Sequence, residues 1–264
     1  MKAKLDFIVP EPEIIDGGRM DLNVDVLKHL LDNSKIDRKF NHYLKDKKVI
    51  IVGPASYMLE HNKQDFIDSH DVVVRLNKNW NIEPKYQKHF GTKTNIRYHC
   101  GMENEHNGGA WNIPGMLEKN IEYAAISFPK NLSYFHNDIL KFEKLNSQHN
   151  MNFHYFSDLE LYITLHHFLG TRMTVGTVAF TDLLFYDIKS LHISGITFLE
   201  DGWYKGYKIN PEWDDKKYMS KDLWKLKKDI GNHAMNPQKQ LLNLFTQIDN
   251  RITLDPEVEE SLVI

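Results

Sequence analysis

The chain has 264 residues, with 33 Lys plus Arg against 36 Asp plus Glu, a formal net charge of −3. That balance argues against nonspecific nucleic-acid binding, which depends on neutralising many phosphates. A hydrophobic fraction of 41% and a charged fraction of 26% are those of a soluble globular protein, and the length suffices for one large core. The single cysteine, Cys100, excludes an intrachain disulfide, so the fold does not depend on an oxidising compartment. The N-terminal segment lacks the apolar run of a signal peptide. No stretch approaches the ~18 apolar residues of a membrane span. The expectation is a soluble, cytoplasmic protein.

Residues 1–45 read as an N-terminal arm, broken by Pro10 and Pro12, with a short helix in VDVLKHLLDN. A second unit then runs over 46–264. KKVIIVG (47–53) is a β-branched run bounded by Lys and Gly, a buried strand. SYMLEHNKQDFID reads as a helix and DVVVRLN (71–77) as a second buried strand. Strand, glycine turn, helix, strand is a βαβ unit, so the two strands are expected to be parallel. TNIRYH (94–99), EYAAISF (122–128) and NFHYF (152–156) suit further strands. Residues 134–147 and DLELYITLHHFL (158–169), opened by Asp158, suit helices. TVGTVAFTDLLFYD (174–187) is a helix with Val175, Val178, Ala179, Phe180 and Leu183 at core spacings, followed by the strand SLHISGITF (190–198). LWKLKKDI and PQKQLLNLFTQI read as late helices, with Pro237 in a first turn. This alternation predicts an α/β fold: a single doubly wound, Rossmann-like domain with a mostly parallel central sheet flanked by helices. Its ligand is expected beyond the carboxyl ends of the strands.

Two turns have the chemistry of an anion site. Gly53-Pro54-Ala55-Ser56 follows the first strand, where glycine lets backbone approach a ligand and the next helix start offers N–H groups and a positive dipole end. The segment is neither GxGxxG nor a P-loop, and an ordinary βα turn reads the same way. The second strand ends in Asn77 and not in the acidic residue that grips an NAD ribose, which counts against a dinucleotide oxidoreductase. In GTRMTVGT (170–177), Thr174 or Thr171 can cap the next helix, with Gly176 and Thr177 as a second cradle and Arg172 beside it. His233, in a polar loop before a helix, has the chemistry of a general base near neutral pH. His166 and His167 are adjacent on one helix and cannot face one site together. No HExxH, no CxxC and no spaced His/Asp set is present, so no metal and no cofactor are expected.

Read together, these segments resemble glycosyltransferase family 29, the sialyltransferases. IIVGPASYML, IDSHDVVVRLN (67–77) and FGTKTNIR (90–97) are similar to the large sialylmotif, and TRMTVGTVAFTDLLFYDIKSLHISGITF (171–198) to the small one. His233 stands at the terminal histidine position, with Gln238 where the family has glutamate five residues on. Pro54 replaces a common donor-binding asparagine. GWYKGY (202–207) shows no third-motif histidine, leaving Tyr204 or Tyr207 in its place. The cysteines that link the motifs in animal Golgi members are absent.

The resemblance implies a GT-A-variant fold and inverting, metal-independent transfer of sialic acid, or a related 2-keto sugar such as Kdo, from a CMP donor to a glycan hydroxyl. It implies donor contacts from Gly53, Ser56, Asn77, Arg172, Thr174, Val175, Gly176 and Thr177, and His233 as base. Asp68 and Asp71 read as structural, bonding backbone N–H groups at a helix-to-strand turn. His106 and Trp111, in the glycine-rich 101–115 loop, suit acceptor stacking or loop packing. The departures motivate one alternative, a catalytically silent nucleotide-sugar binder. An NAD-dependent oxidoreductase is a weaker one.

Overall fold

Seven strands form one sheet in the computed structural model, which describes residues 23–104, 108–130, 136–205, 207 and 234–263. They are β1 (Lys48–Val52), β2 (Val72–Leu76), β3 (Ile96–His99), β4 (Tyr123–Ile126), β5 (Asn152–Tyr155), β6 (Ser190–Ser194) and β7 (Ile252–Leu254). All pairs are parallel, in the order β5-β4-β3-β2-β1-β6-β7. β1 is buried from Val49 to Val52, and β2 along its whole length. Continuous β-branched runs of this kind suit central strands covered on both faces.

The chain steps outward from β1 to β5 on one side, then crosses back to lay β6 on the other side of β1. Val49 therefore pairs with both Val72 and Leu191. Such a reversal opens a crevice beyond the carboxyl ends of the two strands.

The described helices are α1 (Val24–Asn33), α2 (Arg38–Leu44), α3 (Gln64–Asp68), α4 (Gln87–Phe90), α5 (Ile113–Glu118), α6 (His136–Asn146), α7 (Leu159–Leu169), α8 (Val175–Leu184), α9 (Met235–Ile248) and α10 (Pro256–Ser261). Leu27 of α1 and Phe40 and Leu44 of α2 are fully buried in the core. Asp158 caps α7 by accepting from the Leu161 N–H, and Gly170 ends it in the left-handed conformation. α8 is buried at every residue from Gly176 to Leu184, as expected of a helix apolar all round. It packs against β1, β3 and β6. None of the described helices is long and apolar enough to cross a membrane.

Two features depart from the sequence reading. The helix expected directly after β1 is a 3₁₀ turn, Ser56–Glu60, followed by the short α3. Tyr57 and Met58 are both buried there, and their tertiary contacts override the helical pattern. β7 and α10 were not anticipated, because ITL is too short to carry a periodic signal. The expected helix LWKLKKDI lies outside the described residues.

Candidate active site

Beyond the carboxyl ends of β1 and β6, where the strand order reverses, two glycines are in backbone contact. A Cβ on Gly53 would lie 2.2 Å from the Gly195 carbonyl oxygen, and a Cβ on Gly195 2.4 Å from that of Gly53. Gly195 also sits at φ +72°, which side chains resist. The Gly53 N–H donates to the Ser194 carbonyl and the Ala55 N–H to that of Gly195. Ile196 then bridges to α8. Its Cδ1 lies 3.2 Å from a Cβ placed on Gly176, and Leu76 Cδ1 lies 3.5 Å from the same point. The ends of β1, β2 and β6 and the start of α8 thus converge, bringing Gly53, Asn77, Gly195 and Gly176 to one place.

Asn77 takes φ 51°, a left-handed conformation that asparagine tolerates better than most residues. Its side-chain oxygen accepts from the Cys100 N–H and its own carbonyl from Arg97 Nε. The Tyr207 hydroxyl is bonded to the same side chain. Arg97 is fully buried and donates also to the carbonyls of Gly108 and Ala110. Burial lowers its pKa to about 9, so it stays charged near neutrality. His99 donates from Nε2 to the Gly109 carbonyl, and its Nδ1 accepts from the Gly101 N–H. Burial, then the charge of Arg97, hold His99 well below the usual histidine range. These two side chains fasten the glycine-rich loop to the Asn77 turn.

At the start of α8, the Thr174 side chain caps the helix by accepting from the Thr177 N–H. The Thr174 N–H and the Thr177 hydroxyl both donate to Gln238 Oε1, at 2.8 and 2.6 Å. The Val175 and Gly176 N–H groups have no partner among the described residues. A helix N-terminus with open N–H groups is an anion cradle. Arg172 is half-buried on the preceding turn, and its charge acts on Tyr162 and His166.

Behind the crevice lies a buried charge. Asp255 accepts from the hydroxyls of Tyr57 and Ser194 and pairs with Lys63 Nζ at 2.6 Å and His192 Nε2 at 3.0 Å. Burial pushes its pKa up, but His192, Lys63, Ser194 and Tyr57 outweigh that and hold it far below the usual carboxylate range. The Tyr57 hydroxyl in turn accepts from the Gly195 N–H at 2.7 Å. Neither Asp255 nor Tyr57 stood out in sequence, since nothing local links residues so far apart.

Other expected residues fall elsewhere. Trp111 is 4% exposed, with His99 and Phe142 rings at 3.8 and 4.0 Å, which fits the loop-packing one of its two readings. The Ser56 hydroxyl donates to the Asp201 carbonyl, on a 3₁₀ turn and not an α-helical N-terminus. Tyr204 donates to Asn79 Oδ1 and packs on Phe90, so of the two tyrosines Tyr207 is the one touching Asn77. Burial raises the pKa of both, which keeps them protonated near neutrality. Asp68 accepts from the N–H groups of Thr92 and Lys93, and Asp71 from that of Lys48, the structural role expected. His106 and His233 lie outside the described residues. Among the described residues, no group of three or more His, Cys, Asp or Glu is placed to hold a metal ion.

The chain matches glycosyltransferase family 29 (sialyltransferase) over residues 17–160. No curated protein sequence matches it. Among solved structures, the sialyltransferase CstII from Campylobacter jejuni with cytidine-5'-monophosphate aligns at TM-score 0.50 and 15% identity, covering 81% of this chain and 87% of that one. A CST-II variant in complex with CMP aligns at 0.50 and 16%, covering 80% and 87%. A mammalian sialyltransferase in complex with Gal-beta-1-3GalNAc-ortho-nitrophenol aligns at 0.49 and 13%, covering 90% and 81%. The Campylobacter alignments show a shared fold. With the family match extending over more than half the sequence, the chain belongs to glycosyltransferase family 29, the sialyltransferases.

Proposed function

We propose that the protein transfers sialic acid, or a related 2-keto sugar such as Kdo, from its CMP-activated form to a glycan hydroxyl, with inversion and without a metal or other cofactor. The observation that carries this reading is the convergence of Gly53, Asn77, Gly195 and the open Val175 and Gly176 N–H groups at one crevice. The CMP complexes of neighbours that share the fold support the choice of nucleotide. Asn77, in its fixed left-handed turn, contacts the nucleotide. The departing phosphate lies against the α8 N-terminus, where Thr174 and Thr177 set the first turn and Arg172 adds charge.

In the reaction, the acceptor oxygen bonds to the anomeric carbon as the bond from that carbon to the phosphate oxygen breaks. CMP leaves with the electron pair, and the acceptor proton passes to His233. The catalytic unit is 46–264, acting in the cytoplasm. CMP is expected to raise the melting temperature by mass action, whereas UDP and NAD leave it unchanged. Asn77→Ala is expected to weaken that shift, with Asn77→Gly as a companion that removes the side chain without straining φ. A shift with UDP or NAD and none with CMP overturns the donor assignment.

A further inference from the structure

We propose that Arg75 and Arg97, side by side on β2 and β3, are specificity-determining residues whose buried charges select a phosphate-bearing nucleotide over the uncharged nucleoside. The inference rests on the reading of Asn77 as a nucleotide contact.

Arg75 and Arg97 are partners in register on adjoining parallel strands, so both side chains leave the same face of the sheet. Both are fully buried, so they act on a ligand through the groups around them and not by contact. Arg75 Nε donates to the Lys93 carbonyl and the Thr94 hydroxyl, and Nη2 to the Phe90 carbonyl. Its Nη1 is buried with no partner among the described residues. Arg97 donates to the carbonyls of Asn77, Gly108 and Ala110, with the Met116 sulfur 3.5 Å from Nη1. Its guanidinium carbon lies 5.4 Å from the Trp80 ring centre and 5.2 Å from that of Trp111. No carboxylate is among these partners. The acids that act on the pair do so from further off, Asp68 on Arg75 and Glu103 on Arg97. Each is engaged elsewhere, Asp68 by the N–H groups of Thr92 and Lys93 and Glu103 by that of Trp111. Burial lowers the pKa of Arg75 to about 10 and of Arg97 to about 9, so both stay charged near neutrality.

Two like charges buried together are unfavourable unless an anion offsets them. Carbonyl oxygens supply only partial charges. The Nε bond brings the charge of Arg97 against the backbone of Asn77, at the end of β2 where the nucleotide is placed. Indole rings around the guanidinium keep the local dielectric low, which strengthens the field at that turn. A phosphate gains from this field and a bare nucleoside does not. The pair therefore bears on the preference for CMP over cytidine more than on recognition of the base.

The test measures CMP and cytidine affinity by titration calorimetry at about pH 8 for wild type, Arg97→Gln, Arg97→Lys, Arg75→Gln and Arg75→Lys. Each glutamine variant is expected to lower the CMP-over-cytidine preference roughly tenfold. Each lysine variant keeps the charge but loses the fork of donors, so it restores most of the preference even where both ligands bind more weakly. A purely structural role would weaken CMP and cytidine alike and leave their ratio unchanged.

A preference within about threefold of wild type in both glutamine variants overturns the proposal, as do lysine variants that lose as much as their glutamine counterparts. A wild type that binds cytidine as tightly as CMP overturns it too. If neither glutamine variant folds, the salt dependence of the wild-type preference decides, because charges this deep are screened little. Survival of the preference in about 0.5 M NaCl upholds the buried pair, and its collapse there assigns the preference to exposed cations and overturns the proposal. A wild type that binds neither ligand overturns the functional reading itself.

Discussion

A single methyl group decides whether the turns after β1 and β6 can pack against each other. Gly195→Ala would place a Cβ 2.4 Å from the Gly53 carbonyl oxygen at φ +72°. Both the clash with backbone and the left-handed strain are costly, on the order of 1–3 kcal/mol each. The expected result is a lower urea midpoint and loss of CMP binding by calorimetry, and an alanine variant with wild-type affinity would remove this turn from the site. His233 carries the second residue-scale prediction. A positioned imidazole contributes roughly 10²–10⁴-fold, so His233→Ala should keep CMP affinity and lose at least about 100-fold in turnover. The ring accepts a proton only when neutral, so the wild-type rate should fall in acid as the base becomes protonated. A variant within a few-fold of wild type would shift attention to Tyr207. The positions of Asn77, just after β2, and Gly176, in the first turn of α8, were legible from motif spacing. For Trp111 the sequence left two readings open, because a loop aromatic looks the same whether it faces a sugar or packs between two rings.

Among elements, α8 is tied to the far side of the sheet by a buried polar chain. His154 of β5 lies 2.7 Å from Asp182 of α8 and 3.3 Å from Asp37, the cap of α2, and Tyr98 of β3 donates to the same Asp182 oxygen. Burial pushes the His154 pKa down, but Asp182 and Asp37 prevail and hold it above its usual value. The bond from His154, with the backbone of Phe40 and Lys39, outweighs burial and lowers that of Asp37. Because the folded-state pKa of His154 is raised, its contribution is full below about 6.5 and fades as pH rises through the folded value. That of Asp37 is present above about 3.8 and lost in acid. The stability gap between wild type and His154→Asn should therefore be widest between about pH 4 and 6.5 and narrower at pH 9, as measured by urea unfolding. A gap that does not change with pH would show that His154 acts through packing on Phe40 alone. No sequence window contains this network, since it joins residues 37, 98, 154 and 182.

Across the whole molecule, the order of strands and helices was readable because the two central strands, β1 and β2, are β-branched runs and the other strands are short apolar or aromatic segments that alternate with helical patterns. The placement of β6 beside β1, and with it the crevice, follows from long-range pairing that no local pattern encodes. The same holds for Asp255, which reaches Tyr57 and Ser194 only after folding. The proposed chemistry makes a prediction at this scale. In that chemistry the α8 N-terminus and Arg172 serve the phosphate, so turnover should survive EDTA. Complete loss with chelator, restored by Mn²⁺, would require a metal in the reaction.

The pairing of residue 49 with both residue 72 and residue 191 also bears on how the chain is made. During synthesis, β1 to β5 can assemble while β6 is still within or behind the ribosome. Until then β1 is an edge strand, with its hydrogen-bonding groups open along the apolar run Val49–Val52, an arrangement prone to wrong pairing between nascent chains. Parallel contacts this distant in sequence also form slowly. The last third of the chain thus acts as the cover for its own first strand, and ribosome-bound chains that end before residue 190 should depend on chaperones in a way the finished protein does not.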